Sequence, residues 1–287
     1  MNFFAKSILQ KAGYGNLHRF MSTKALTKVT FNNGIKTITL ASPETRNTLS
    51  IPMERELLKH LSADWENNDL RVIVLDSEGP LFSAGHNLNE MTTKNNLEVH
   101  NEIFHLASKV MFAIIDCPVP VVGKVKAGAF AAGCQLVAQC DIAVCTPNCK
   151  FATPGANVGI FCSTPGVAIA RCVHPMVTRH MLLTGLPLTA NEAKDNGLVF
   201  KVCKEEDIDK EVDHICQSIM SKSRAIIMNG KRFYYRQVDL PIKEAFKLGE
   251  QEMIDTLSLR DTQEGIESFL QKKKPNWCHR PDPLNSK

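Results

Sequence analysis

Polar and apolar side chains alternate on either side of an Asn-Asn-Gly step near the start of the chain. Val29–Phe31 and Ile35–Leu40 there predict two short strands around the turn Asn32-Asn33-Gly34. The period then lengthens. Behind Ser50, which suits a helix cap, Met53, Leu57, Leu58, Leu61 and Trp65 form one apolar helical stripe. Arg71-Val72-Ile73-Val74-Leu75 holds an apolar run without alternation, as a strand buried on both faces requires. A glycine-punctuated loop, Ser77 to Glu90, precedes a second helical stripe of Val99, Ile103, Leu106, Val110 and Ile114. Next come a strand at Pro120–Val125, a helix at Cys134–Gln139, strands at Asp141–Val144 and Phe151–Ala152, and a helix near Pro165–Cys172. From about Asn191 to Leu270 the pattern is helical, interrupted at Gly197-Leu198-Val199. Two strands and a helix recur rather than alternate strictly, and no Gly-, Ser- or Pro-rich linker precedes the helical part. The pattern predicts a mixed α/β core packed closely against a helical C-terminal part.

Composition narrows the class without changing that picture. The 287 residues are 44% hydrophobic and 22% charged, which excludes disordered, collagen-like and coiled-coil readings. The uncharged stretch Ala127–Cys140 is shorter than the roughly 20 apolar residues of a membrane helix, so no span is expected. The net charge of +4 is unevenly placed: Lys6, Lys11, Arg19, Lys24 and Lys28 all precede the first acid, Glu44. With Phe3, Phe4, Ile8 and Leu9 at near-helical spacing, residues 1–21 read as a mitochondrial transit peptide, or else as a basic tail. Without that segment 31 basic residues face 30 acidic ones, which gives no electrostatic support for nucleic-acid binding. The ten cysteines show no C-x-x-C spacing and follow nothing resembling a secretory signal, so buried reduced thiols are expected. The nine histidines form no H-E-x-x-H, and no metal site is expected.

Two loops are dense in small residues. One is Phe82-Ser83-Ala84-Gly85-His86-Asn87-Leu88, after the buried strand; the other runs from Lys126 through Gly128, Ala131, Ala132 and Gly133 to Cys134, opening a helix. Small side chains let a ligand approach the backbone, and a helix start presents unpaired N–H groups. Two such loops can give one donor each to a single oxygen atom. Gly128–Gly133 lacks the Lys-Ser/Thr that a phosphate loop needs.

These loops resemble the crotonase (enoyl-CoA hydratase/isomerase) superfamily, together with Glu90-Met91, Cys140-Asp141-Ile142, Phe151-Ala152-x-Pro154 and Leu183-Thr184-Gly185. The match continues through Glu192-Ala193 before Gly197-Leu198-Val199, Asp261-x-x-Glu264-Gly265, and Phe269 ahead of Lys272-Lys273-Lys274-Pro275, covering about Val29 to Pro275. The resemblance implies a spiral of β-β-α turns over 28–220 and a helical region over 221–280 that assembles homotrimers, often hexamers. It implies a coenzyme A thioester as ligand or substrate, with no separate cofactor, and a place in fatty-acid and lipid metabolism. With the basic leader, it implies the mitochondrial matrix. The superfamily grips the thioester oxygen with two backbone N–H groups, which by motif belong here to His86 and Ala132. Arg46, Leu49, Ala84, His86, Asn87 and Leu88 then fall beside the coenzyme A. Lys273, within its basic run, meets the 3′-phosphate, from a neighbouring subunit, or is simply solvated.

Two positions depart from the superfamily's hydratases. Those enzymes use one glutamate to deprotonate water and another to protonate the α-carbon; the matching residues here are Gln135 and Gly155. Gln binds water but accepts no proton at neutral pH, and Gly has no side chain. Acid–base groups are each worth roughly 10²–10⁴-fold, so ordinary hydratase activity is expected to be absent or very weak. Two readings follow. One is an acyl-CoA-binding protein with its oxyanion site kept. The other is an enzyme of another type, such as a malonyl-type CoA decarboxylase, or a weak hydratase or isomerase. Decarboxylation needs only enolate stabilisation and a later proton, which His86 supplies if its imidazole points inward; otherwise the ring only packs. Cys162 and Ser163 border the acyl site in relatives, but no activating base accompanies the thiol. His100, Glu102 and His105 share a helix on which some relatives carry active-site groups; a solvated face is the other reading.

Overall fold

A computed structural model describes residues 25–284, so the leader read at 1–21 lies outside the described residues. Strands β1 (Thr27–Asn32) and β2 (Ile35–Leu40) pair antiparallel, with Thr27 opposite Leu40 and Asn32 opposite Ile35. Asn33 and Gly34 between them have φ of 48° and 83°, the left-handed pair that a two-residue hairpin turn requires. Helix α1 (Ile51–Ser62) begins at Ser50, whose Oγ accepts a hydrogen bond from Met53 N. It ends before Trp65, which the apolar stripe had placed on it; the indole instead donates to Leu61 O at 2.7 Å from the following turn. Lys36 of β2 points inward and closes the same helix end, donating to His60 O (2.6 Å) and Asp64 (2.9 Å).

Strand β3 (Val72–Ser77) is buried at all six positions, as its unbroken apolar run predicts. Its Ile73 and Leu75 enter the main core with Leu57, Phe82 and Phe151, while Val72 and Val74 join Val122 and Val144 on the other face. There follow α2 (Leu97–Asp116), capped by Asn96, then β4 (Val121–Val125), β5 (Ala129–Phe130) and α3 (Ala132–Gln139). Next are β6 (Ile142–Cys145), β7 (Lys150–Ala152), α4 (Ser163–Cys172) and α5 (Pro175–Thr184). The pattern had not shown α5, whose buried residues are Thr178 and Met181 alone, too thin a stripe to register. Then come β8 (Leu188–Thr189), α6 (Ala190–Asp195), β9 (Lys201–Val202) and the helices α7 (Ile208–Met220), α8 (Arg224–Gln237), α9 (Ile242–Leu257) and α10 (Arg260–Leu270). One sheet runs β1-β2-β3-β4-β6-β9, parallel from β2 onward; β5, β7 and β8 form a smaller second one. Helix α7 covers the outer face of the large sheet with Ile208, Val212, Ile215 and Cys216.

Buried charge ties the C-terminal helices to this core. Lys231 of α8 donates to Ile114 O (2.8 Å), Val119 O (3.1 Å) and Asp141 (2.7 Å), and Tyr235 donates to the same carboxylate at 3.0 Å. Arg224 reaches Leu70 O (2.9 Å) and Trp65 O (2.6 Å). Among the described residues no helix is long and apolar enough to cross a membrane.

Candidate functional site

The two small-residue loops lie against each other. Ser83 pairs with Ala129 in a parallel bridge, Phe130 N donates to Ser83 O (2.9 Å), and Phe82 N donates to Gly128 O (2.9 Å). Glycine is required at the contact. A Cβ on Gly133 would stand 2.5 Å from Ser83 O, and one on Gly85, where φ is +89°, 2.9 Å from Ala131 Cβ and 3.0 Å from Ala132 N. Ala131 takes the rare φ of 50° to turn the chain into α3, with its own N–H held by Ala152 O at 2.9 Å. The Ala132 amide is thus the first of a helix and has no partner inside it. On the other loop, Leu49 N donates to Gly85 O (2.8 Å) and Ala84 N to Arg46 O (3.0 Å), which fixes the turn that presents His86. Among the described residues, neither the His86 amide nor the Ala132 amide makes a hydrogen bond to protein.

Arg46, Leu49, Ala84, His86, Asn87 and Leu88 are therefore brought together, with the Asn87 side chain capping the short turn Leu88–Met91. Lys273 is not among them. It follows α10 and stands 3.7 Å from Glu267.

Gln135 is buried in the first turn of α3 and faces a groove of ≈ 1430 Å³ that Met111, Phe112, Val167, Ala168 and Tyr234 also line. A Cβ on Gly155 would lie 2.2 Å from Ile160 O and 2.7 Å from Cys162 Sγ, so the space of a second carboxylate is filled by a carbonyl and a sulfur. Burial pushes the Cys162 thiol up, only partly opposed by a hydrogen bond with the Gly155 backbone, which makes it a poor nucleophile. Ser163 opens α4 at the surface. On α2, Glu102 pairs with Arg55 rather than with His105, and His105 is exposed: this is the solvated face.

The His86 imidazole points inward. Its Nδ1 lies 3.4 Å from Leu49 O and 3.4 Å from Glu54 Oε1, and Phe104 meets the ring edge-on at 5.6 Å. Glu54 escaped the sequence reading. It stands three residues before Leu57 and seven before Leu61, on the buried stripe itself, and an acid in that register was the available signal. Burial first, and then the charge of Glu90, push its carboxyl up to about 9; burial pushes His86 down. Both are therefore uncharged at neutral pH. Among the described residues no cluster of three or more His, Cys, Asp or Glu side chains is placed to hold a metal ion.

Known proteins resemble this chain in sequence and in fold. Residues 30–280 match the family model for enoyl-CoA hydratase/isomerase. The chain is 48% identical over 249 residues to human "Enoyl-CoA hydratase domain-containing protein 3, mitochondrial", spanning 87% of this chain and 82% of that one. The rat protein of the same name is 45% identical over 258 residues, at 90% and 86% coverage. The crystal structure of human enoyl coenzyme A hydratase domain-containing protein 3 superposes with a TM-score of 0.86 at 47% identity, covering 88% of this chain and 100% of that one. An enoyl-CoA hydratase from Mycobacterium smegmatis gives 0.86 at 37% identity, over 88% and 99%. Matched in sequence and in α/β architecture over nearly all its described length, the chain belongs to the enoyl-CoA hydratase/isomerase family.

Proposed function

We propose that the protein binds acyl-CoA thioesters through the His86 and Ala132 amides and is not an ordinary enoyl-CoA hydratase. The observation that carries this is the contrast between two amides left unbonded on touching loops and a Gly155 position closed by Ile160 O and Cys162 Sγ. A thioester carbonyl, and more so its enolate, concentrates negative charge on one oxygen. Two preorganised donors suit that charge, and one such donor is worth roughly 3–4 kcal/mol in comparable sites. No carboxylate stands at 135 or 155 to move protons for hydration. Arg46, Leu49, Ala84, Asn87 and Leu88 border the coenzyme A in this reading, and Lys273 meets its phosphate from a neighbouring copy. The copies form a homotrimer or hexamer through the helices of 221–280, below a spiral core of 28–220. The mitochondrial names of the relatives and the basic leader support import to the matrix, and the thioester ligand supports a role in fatty-acid metabolism.

Purified protein should show a butyryl-CoA-dependent rise in melting temperature and no hydration of crotonyl-CoA. Turnover at the rate of ordinary hydratases would overturn the proposal. The two unbonded amides, with no carboxylate at 135 or 155, also support one second reading, decarboxylation of a malonyl-type CoA. Carbon dioxide leaves, the electron pair rests on the gripped enolate, and a proton then reaches the α-carbon. A decarboxylated product seen by mass spectrometry would establish it in place of binding alone.

A further inference from the structure

Glu54 packs against the imidazole of His86, the residue whose amide is assigned to the thioester. Glu54 is 1% exposed, among Met53, Leu57 and Leu61, where an aliphatic side chain would pack without cost. Neither of its oxygens meets a hydrogen-bond partner, and His86 Nε2 is equally buried and unpartnered. The polar atom near the carboxyl is His86 Nδ1, at 3.4 Å. Burying a carboxyl this way is costly unless it stays protonated.

We propose that Glu54 is a positioning residue for thioester binding: its protonated carboxyl packs 3.4 Å from His86 Nδ1, whose hydrogen goes to Leu49 O, and this neutral packing holds the His86 main-chain amide toward the bound oxygen. The inference rests on the acyl-CoA reading above. Its physical content is a charge switch behind the donor. While the proton is kept, the pair is neutral and the ring is fixed between Leu49 O, Glu54 and Phe104. Once the proton is lost, a full negative charge stands 3.4 Å from the His86 ring and opposes the negative oxygen bound at that residue's amide. The groups facing the pair make that loss harder to screen. Glu90, on the turn Leu88–Met91, accepts from Ile51 N at 3.1 Å and adds a like charge. Glu102 of α2 is engaged by Arg55 at the surface, and no Lys or Arg pairs with Glu54 among the described residues. The desolvated carboxyl keeps its proton to about pH 9.

The test is calorimetric titration of butyryl-CoA into the full-length protein and its Glu54→Gln and Glu54→Leu variants, at neutral pH and at about pH 10. Both substitutions remove a buried acid without adding bulk, so both fold. Wild-type affinity should fall roughly tenfold more than that of Glu54→Gln across this range, the size expected for one charge acting through an effective dielectric of about 20. Glu54→Leu should bind several-fold more weakly than Glu54→Gln at neutral pH, since glutamine keeps the shape of the carboxyl against the ring. Infrared spectra should show a protonated-carboxyl C=O band at neutral pH that disappears in Glu54→Gln. Coincident pH profiles of wild type and Glu54→Gln, or a missing band, overturn the inference while leaving the acyl-CoA reading in place. A wild type that binds no butyryl-CoA overturns the reading, and this inference with it.

Discussion

The cradle at Gly85 and Gly133 and the wall at Gln135 and Gly155 occupy neighbouring segments but meet opposite constraints. In the proposed reading the cradle acts through main-chain amides. It is fixed by glycines that no side chain can replace, by the φ of 50° at Ala131, and by the bonds of Leu49 and Phe130 across the two loops. The wall would act through carboxylates, and a carboxylate is lost in one substitution. At Gly155 the room for one is held by Ile160 O and Cys162 Sγ. A donor built from backbone persists as long as the fold does, whereas an acid built from a side chain persists only while it is used.

Breaking the cradle should have the largest effect. Gly133→Val forces a Cβ to within 2.5 Å of Ser83 O, which should cost about 3 kcal/mol of stability and abolish butyryl-CoA binding by calorimetry. Unchanged affinity in a folded variant would detach the cradle from the ligand. The buried acid behind it comes next. Between 4.5, its ordinary value, and about 9, the folded protein holds a proton on Glu54 that the unfolded chain has released. Stability is therefore full below that window and declines as pH rises through it, by up to about 1.4 kcal/mol per pH unit. Urea unfolding of wild type and Glu54→Gln at pH values inside the window should show this slope in the first and its loss in the second.

Rebuilding the wall should have a smaller effect, and no catalytic gain. Gly155→Glu combined with Gln135→Glu should destabilise by about 2 kcal/mol through overpacking and leave crotonyl-CoA hydration at the wild-type level. A clear rate increase would mean that the space is open after all. The smallest change is expected on the solvated face. Glu102→Ala removes a surface pair with Arg55, should shift stability by less than about 1 kcal/mol, and should leave thioester binding as it was.

The parts of this molecule set by local rules could be read in the chain. The hairpin follows from Asn33-Gly34, the doubly buried β3 from its unbroken apolar run, and the touching loops from their small residues. What local rules leave open was missed. Helix α5 buries too few residues to make a stripe, and Trp65 continues the period of α1 after the helix has ended. Glu54 hides inside a stripe whose other members are apolar, and its meaning depends on a histidine 32 positions away. The closing of the Gly155 space is likewise a fact of packing, because Cys162 becomes its neighbour only when the chain turns at Gly159.

Lys231 sets a boundary on how the protein can be taken apart. Its ammonium is bonded at once to the end of α2, to the segment entering β4 and to Asp141 ahead of β6. A fragment stopping short of α8 would leave that carboxylate and two carbonyls without their donor in the interior, at a cost of several kcal/mol. Core and tail should accordingly melt in one transition, and limited proteolysis should yield no stable piece that ends before the helix carrying this lysine.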